Sequence, residues 1–382
     1  MTMTMRRRGF MLVLGAGGAV VALTGCDAMP ASAVQPWQGP AASETDPRLR
    51  ALSWAMLAPN PHNLQSWIAD IRDPGLIKLQ VDTTRLLPET DPPARQVLIG
   101  CGAFLELLRM AAAQDGWQAE IVLFPEGEYP SDRVDERPFA TVQLRRDVAV
   151  KTDPLFAAVS MRRTKRSVYE PRAPGAETMS ALRAAAEVPG IAFHATSEAA
   201  RVARLSELAI LGYRTEFGDA AAWGETARVM KLGAPAVAAD PSGIALLGTE
   251  VWFGRQLGML AAEKLRRTDG IAATRAVTSS IEAALGTRTW VWLASADNAR
   301  RSQLAAGRAY LRLDLQAAQS GLAIHPNSQV LQEFSAMDAA YAAFHREVRV
   351  AAPARVQMLV RVGYAARPDP APRRPVTRVV RA

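Results

Sequence analysis

The chain predicts an α+β fold assembled from two related halves, and two features of its 382 residues carry that prediction. Strand-like runs and helix-like runs interleave along the whole length, each bounded by Pro, Gly or Asp. In addition, Gly102–Gly116 aligns without gaps on Gly307–Gly321, with six of fifteen positions identical: Gly102/Gly307, Leu108/Leu313, Ala112/Ala317, Ala113/Ala318, Gln114/Gln319 and Gly116/Gly321. Each copy runs on into an apolar stretch that meets a proline: Trp117–Phe124 with Pro125, and Leu322–His325 with Pro326. Such an echo points to a duplicated unit.

Taken in order, a helix is expected from about Asp46-Pro47 to Met56, stopping before Pro59. Leu76 to Val81 alternates as a strand. Asp91-Pro92-Pro93 introduces a helix near 94–114, which Gly116 ends at a C′ position. Ala119 to Phe124 and Phe139 to Leu144 read as strands. Asp153 is placed to cap a short helix with Pro154 at its first position and Leu155, Phe156 and Val159 on one face. Further on come a helix near 176–187, a strand at 191–195, a helix near 198–215, and strands at 289–295 and 358–364. Gly233 to Gly248, followed by Trp252 and Phe253, has no clear period. It reads either as a lid over a pocket or as a buried irregular connection.

The N-terminus has a different character. Arg6-Arg7-Arg8 precedes an apolar run from Gly9 to Gly25, the pattern of a signal peptide over residues 1–25. Arg7-Arg8-Gly9-Phe10-Met11 fits the twin-arginine pattern, and Leu23-Thr24-Gly25-Cys26 resembles a bacterial lipobox in which Cys26 is lipidated. The expectation is export to the periplasmic face of the inner membrane as a lipoprotein. Residues 26–45, rich in Pro, Ala and Ser, read as a tether.

Composition excludes several classes. At 49% hydrophobic and 21% charged residues the chain is globular rather than disordered. The net charge of +8 is spread over scattered cations with no aromatic-and-basic module, so nucleic acid is not an expected partner. His62, His194, His325 and His345 have no metal-like spacing, and neither a Walker A sequence nor a Gly-x-Ser-x-Gly elbow is present.

Two stretches carry the chemistry. Met161-Arg162-Arg163-Thr164-Lys165-Arg166 puts four cations and a hydroxyl into five residues, a donor set for a bound anion. Pro59-Asn60-Pro61-His62-Asn63-Leu64-Gln65-Ser66-Trp67 is a stiff turn rich in donors and acceptors, suited to the edge of a polar heterocycle. Together these resemble the two signatures of the nitroreductase family, Arg-Arg-Ser/Thr-x-Arg and Pro-Ser-x-x-Asn-x-Gln-Pro-Trp. Asn60 stands where the family has Ser, and Ser66 replaces the Pro before Trp67. Val360-Arg361-Val362-Gly363-Tyr364 with Pro372-Arg373-Arg374-Pro375 resembles the family's closing strand and basic tail.

The resemblance implies a three-layer α/β/α fold with a mixed sheet and FMN as cofactor. It implies Arg162, Arg166 and Arg373, then Arg163 and Arg374, for the phosphate. Thr164 and Asn63 would serve the ribityl group or the flavin edge, and Pro59, Asn60, His62 and Gln65 would line the ring. No catalytic side chain is required, because the flavin carries the redox chemistry.

Family members are intertwined homodimers in which one subunit supplies the arginines and the other the Asn loop. Here the loop falls in a first half, 46–150, and the arginines in a second half, 151–382. The chain therefore resembles a fused pseudo-dimer with one flavin, like the lid-bearing, dormancy-associated proteins of mycobacteria. The implied function is two-electron transfer from NAD(P)H or a membrane quinol to a quinone or nitro compound. The alternative is flavin binding without turnover.

Overall fold

The computed structural model describes residues 27–382; the signal-peptide and lipobox expectations fall on residues outside that range. Its strands are β1 (Trp67–Asp70), β2 (Leu76–Val81), β3 (Trp117–Leu123), β4 (Pro138–Arg146), β5 (Ile191–Thr196), β6 (Met230–Leu232), β7 (Ile244–Leu246), β8 (Trp290–Ser295), β9 (Ala323–Pro326), β10 (Arg355–Gly363) and β11 (Val380–Arg381). They form a five-stranded sheet ordered β11-β1-β2-β4-β3, a four-stranded sheet ordered β5-β8-β10-β9, and the small pair β6-β7.

The two large sheets repeat one plan. Setting β11 aside, each has four strands arranged first, second, fourth, third in chain order, with every neighbouring pair antiparallel. In each, a 20-residue helix stands between the second and third strands: Arg95–Gln114 in the first and Arg300–Gln319 in the second. These two central helices hold the sequence echo. They cross at its paired glycines, where a Cβ on Gly102 would lie 2.0 Å from the Leu304 carbonyl oxygen and one on Gly307 would lie 1.9 Å from that of Ile99. Only glycine permits so close a backbone approach. Around the crossing each helix lends side chains to the other's core. Leu304, Leu311 and Leu315 pack with the first sheet, and Ile99 packs with the second.

Layering differs between the halves. The second sheet is covered on both faces. Val291, Leu293 and Val360 meet the central helix on one side, while Trp290, Trp292 and Leu359 meet helices Ala199–Gly218 and Asp338–Glu347 on the other. The α/β/α stack therefore surrounds the second sheet. The first sheet buries Ile77, Leu79 and Val81 but leaves residues such as Val122 in solvent on its outer face. Its extra strand comes from the chain's end. Val380 pairs in parallel with Ala69, so the basic tail crosses from the second half to the first and makes that sheet mixed.

Two expectations need correction or completion. The described part of the expected tether, residues 27–45, does not hang loose. From Asp27 onward they are docked: Ala33 and Trp37 are buried, Trp37 Nε1 donates to the Ala371 carbonyl at 2.8 Å, and the Arg373 amide donates to the Ala33 carbonyl at 2.8 Å. A buried tryptophan outweighs the Pro/Ala/Ser composition on which the tether reading rested. The aperiodic 233–253 segment contains the short helix Ala234–Ala239, then β7 and the helix Thr249–Gln256. Elements this short leave no readable period, and the same holds for the four-residue β1.

Candidate functional site

The Pro59 loop is strained. Its residues His62, Asn63 and Gln65 all have positive φ (47°, 58° and 55°), a conformation that side chains other than glycine adopt at a cost of about 1–3 kcal/mol each. Packing and hydrogen bonds hold it. Gly100 of the first central helix leaves room for Asn60, whose Nδ2 would sit 2.6 Å from a Cβ there. Asn60 Oδ1 accepts from the Gln65 amide at 2.8 Å.

Gln65 is fully buried. Its Nε2 donates to the carbonyls of Asn63 (3.2 Å) and Pro241 (3.1 Å), and its Oε1 accepts from the Arg374 amide at 2.8 Å. The Asn63 side chain donates to Gly243 and Pro372 carbonyls and accepts from Arg373 Nη1. Both amides are thus latches between loop, tail and the β6–β7 segment. This corrects their expected role as groups facing a ligand. Arg374 is likewise engaged, with the carbonyls of Gln65 and Arg378 at 3.1 and 2.8 Å.

The loop and the arginine stretch do meet. The Leu57 carbonyl accepts from both Arg162 Nη2 (3.0 Å) and Arg373 Nη2 (3.5 Å), directly ahead of the Pro59 loop. Arg162, Arg163 and Arg373 place their guanidinium carbons 5.7, 4.1 and 5.2 Å from the centre of the Trp37 ring. One buried carboxylate answers this cluster, while Arg367 and Asp369 act on Arg163 from its outer side with charges that offset each other. Asp314, on the second central helix, accepts from Arg162 Nη1 at 3.1 Å, and both residues are buried.

Three cations against one anion leave a local excess of +2 among these four residues. The chemistry registers the strain. Desolvation, then the neighbouring Arg162, lowers the Arg163 pKa to about 10, while desolvation followed by Arg162 and Arg163 pulls Arg373 well below its ordinary value. Arg163 Nε and Arg373 Nε are buried without hydrogen-bond partners among the described residues.

Arg166 stands apart from this cluster. None of the other three guanidinium groups perturbs it, and the groups around it are Tyr213, Tyr310 and Tyr169. Its side chain is exposed, and desolvation by the groups around it still lowers its pKa. Among the described residues its guanidinium has no carboxylate within salt-bridge distance. His62 lies within reach of the Arg166 charge: desolvation, then that charge, lowers its pKa to about 4. Asn60 Nδ2 is a further buried polar atom without a partner among the described residues, while the Tyr310 hydroxyl lies against Asp314 and the Tyr213 hydroxyl against Asn327. Thr164 sits in a parallel bridge to Ile324, and Pro59 is half-buried beside Asn60. The structure thus gathers Arg162, Arg163 and Arg373 at Trp37, while Arg166 is not among the groups that act on them.

Asp314, Tyr310, Tyr213 and Trp37 escaped sequence reasoning. The one legible signal was Asp314, a lone carboxylate between Leu313 and Leu315 in an apolar helix. A neutral His62 also fixes a pH effect. Its imidazole titrates near 6.5 when unfolded and near 4 when folded, so its contribution to stability is present above pH 6.5 and is lost as pH falls towards 4. His345 behaves alike, titrating at about 4 because of burial, with Nε2 accepting from the Val356 amide at 3.2 Å. Replacing His62 by Gln is expected to flatten the urea midpoint between pH 6.5 and 4; an unchanged slope would mean that His62 does not titrate there.

Among the described residues no group of three or more His, Cys, Asp or Glu is placed to hold a metal ion. No protein-family model matches the chain. A provisionally named NAD(P)H nitroreductase of Mycobacterium tuberculosis is 31% identical over 362 residues, covering 90% of this chain and 95% of the relative. A second one from that organism, acg, is 28% identical over 353 residues, covering 88% and 95%. Of solved structures, the FMN-dependent nitroreductase NfnB of Mycobacterium smegmatis, in complex with NADPH, aligns at a TM-score of 0.34 and 18% identity over 55% of this chain and 86% of its own. A nitroreductase with bound FMN from Bacteroides fragilis aligns at 0.33 and 14%, over 56% and 90%. Overlaps at such scores are partial superpositions only.

Proposed function

This chain belongs to the nitroreductase family, and from that membership we propose that it is an FMN-dependent oxidoreductase passing two electrons from a donor to a small acceptor such as a quinone or nitro compound. The observation that carries the reading is the uncompensated charge. A phosphate monoester brings about −1.5 to −2 at neutral pH, which matches the +2 excess of Arg162, Arg163 and Arg373 over Asp314. Arg166 and Asn60 Nδ2 offer partners for a polar ring system.

When bound, FMN supplies the two-electron chemistry. The chain's own residues do the rest. Arg162, Arg163 and Arg373 would neutralise the phosphate. Arg166 would set a positive charge against the ring's electron-rich edge, Asn60 would donate a hydrogen bond, and His62 would remain neutral at pH 7. The 230–246 segment, latched to Asn63, Gln65 and Arg85, keeps water from the loop.

The repeated sheets and the glycine crossing support a pseudo-dimer within one chain, in which the first half lends its loop to the second half's arginines. We further propose export through the twin-arginine signal and attachment at Cys26. In that compartment a membrane quinol would replace NAD(P)H, the donor in the relatives' names. The latched segment favours one second reading, flavin sequestration without turnover.

Purified protein should be yellow, carry about one FMN per chain, and reoxidise rapidly with a quinone or nitro acceptor after anaerobic reduction. Slow reoxidation with every acceptor would favour sequestration, and a colourless protein that cannot be reconstituted would end both readings. Arg166→Ala is expected to weaken FMN binding by about 1.5–3 kcal/mol, the worth of a charged hydrogen bond, without lowering the stability of the flavin-free protein. Unchanged affinity would remove Arg166 from the site.

A further inference from the structure

The surface around helix Thr249–Gln256 is unusual for an exposed face. Phe253, Leu257, Met259 and Ile271 are 43%, 68%, 49% and 57% exposed, a cluster of large apolar side chains in solvent. Helices Thr249–Gln256 and Ile271–Leu285 are joined across it by an Arg275–Glu250 ion pair at 3.1 Å. Phe253 lies one turn from Glu250, and Ile271 one turn from Arg275, so the apolar residues flank that bridge. The charged residues of this stretch are Arg255, Lys264, Arg266, Arg267 and Arg275 against Asp27, Glu250, Glu263 and Asp269, five cations to four anions; Arg255, Arg267 and Arg275 are paired with Asp27, Asp269 and Glu250, and Lys264 and Arg266 are in no ion pair among the described residues.

The chain's N-terminal side is pinned to the same place. The Asp27 carbonyl accepts from the Gly248 amide at 3.3 Å. Asp27 Oδ1 accepts from the Ala234 amide at 2.6 Å and lies 3.5 Å from Arg255 Nη1. Cys26 is the next residue, and consecutive Cα atoms are about 3.8 Å apart. With no free spacer, whatever holds Cys26 also holds this face.

We propose that the face formed by Phe253, Leu257, Met259 and Ile271 is the protein's membrane-contact surface, seated in the interface of an anionic phospholipid bilayer. The proposal rests on the attachment at Cys26 put forward above for its orientation, and on the exposed side chains for its chemistry. Apolar side chains enter the headgroup and acyl boundary, while Lys and Arg stems run along it and leave their charges among anionic headgroups.

The test uses the full chain, processed in cells and reconstituted in vesicles of phosphatidylglycerol and phosphatidylcholine. Nitroxide labels are placed at Leu257→Cys and, as a control on the outer face of the first sheet, at Val122→Cys. The expected result is a several-fold higher ratio of oxygen to nickel-chelate accessibility at 257 than at 122, falling when phosphatidylglycerol is omitted. A vesicle-bound protein with both labels in water would overturn the surface and leave the attachment standing. A protein that does not bind vesicles would overturn both. A label at 257 shielded from both reagents would overturn the lipid assignment in favour of cover by another protein segment or a second copy.

Discussion

Replacing Arg162 by alanine is expected to destabilise the protein by about 3–5 kcal/mol, the usual consequence of stripping one partner from a buried ion pair. Asp314 is fully buried, with the Tyr310 hydroxyl as its other polar neighbour. Burial raises its pKa and Arg162 opposes that rise, so removing the arginine would raise it further and favour the protonated carboxyl as pH falls. The loss should therefore be smaller at pH 5 than at pH 8. Removing both groups, as in Arg162→Met with Asp314→Leu, should recover much of the stability while abolishing FMN binding. Urea melts at the two pH values, with a flavin titration, separate these effects. If Arg162→Ala proves as stable as the parent and loses only FMN, the arginine serves the ligand and not the fold.

The second large effect is expected at the helix crossing. Gly102→Ala or Gly307→Ala places a methyl group about 2 Å from a backbone carbonyl of the facing helix, and a backbone cannot rotate aside as a side chain can. Overpacking of this kind costs typically about 1–3 kcal/mol and occasionally more. The upper end is expected here, because Leu304 and Ile99 belong to the two cores that the central helices join. Separating the helices once accommodates both methyls, so the double variant should lose less than the sum of the single losses. Additive losses in thermal melts would place the two glycines in independent environments.

Much of this was legible along the chain. The strands at 76–81, 117–123, 138–146 and 191–196 and the long helices announce themselves by period, by Asp-Pro starts and by Gly stops, because such signals act within a few residues. The Gly102/Gly307 echo marked the two residues on which the central helices cross. The arginine stretch and the Asn-rich loop could be picked out by donor chemistry alone.

What those side chains do was settled by neighbours hundreds of positions away. Gln65 and Asn63 became latches once Pro241, Gly243 and Arg374 arrived beside them. Trp37 read as part of a tether until three guanidinium groups gathered round it. Local backbone preference is written in the order of residues. The sharing of a buried charge or a hydrogen bond depends on which groups the folded chain brings within a few ångströms, and that only the tertiary structure decides.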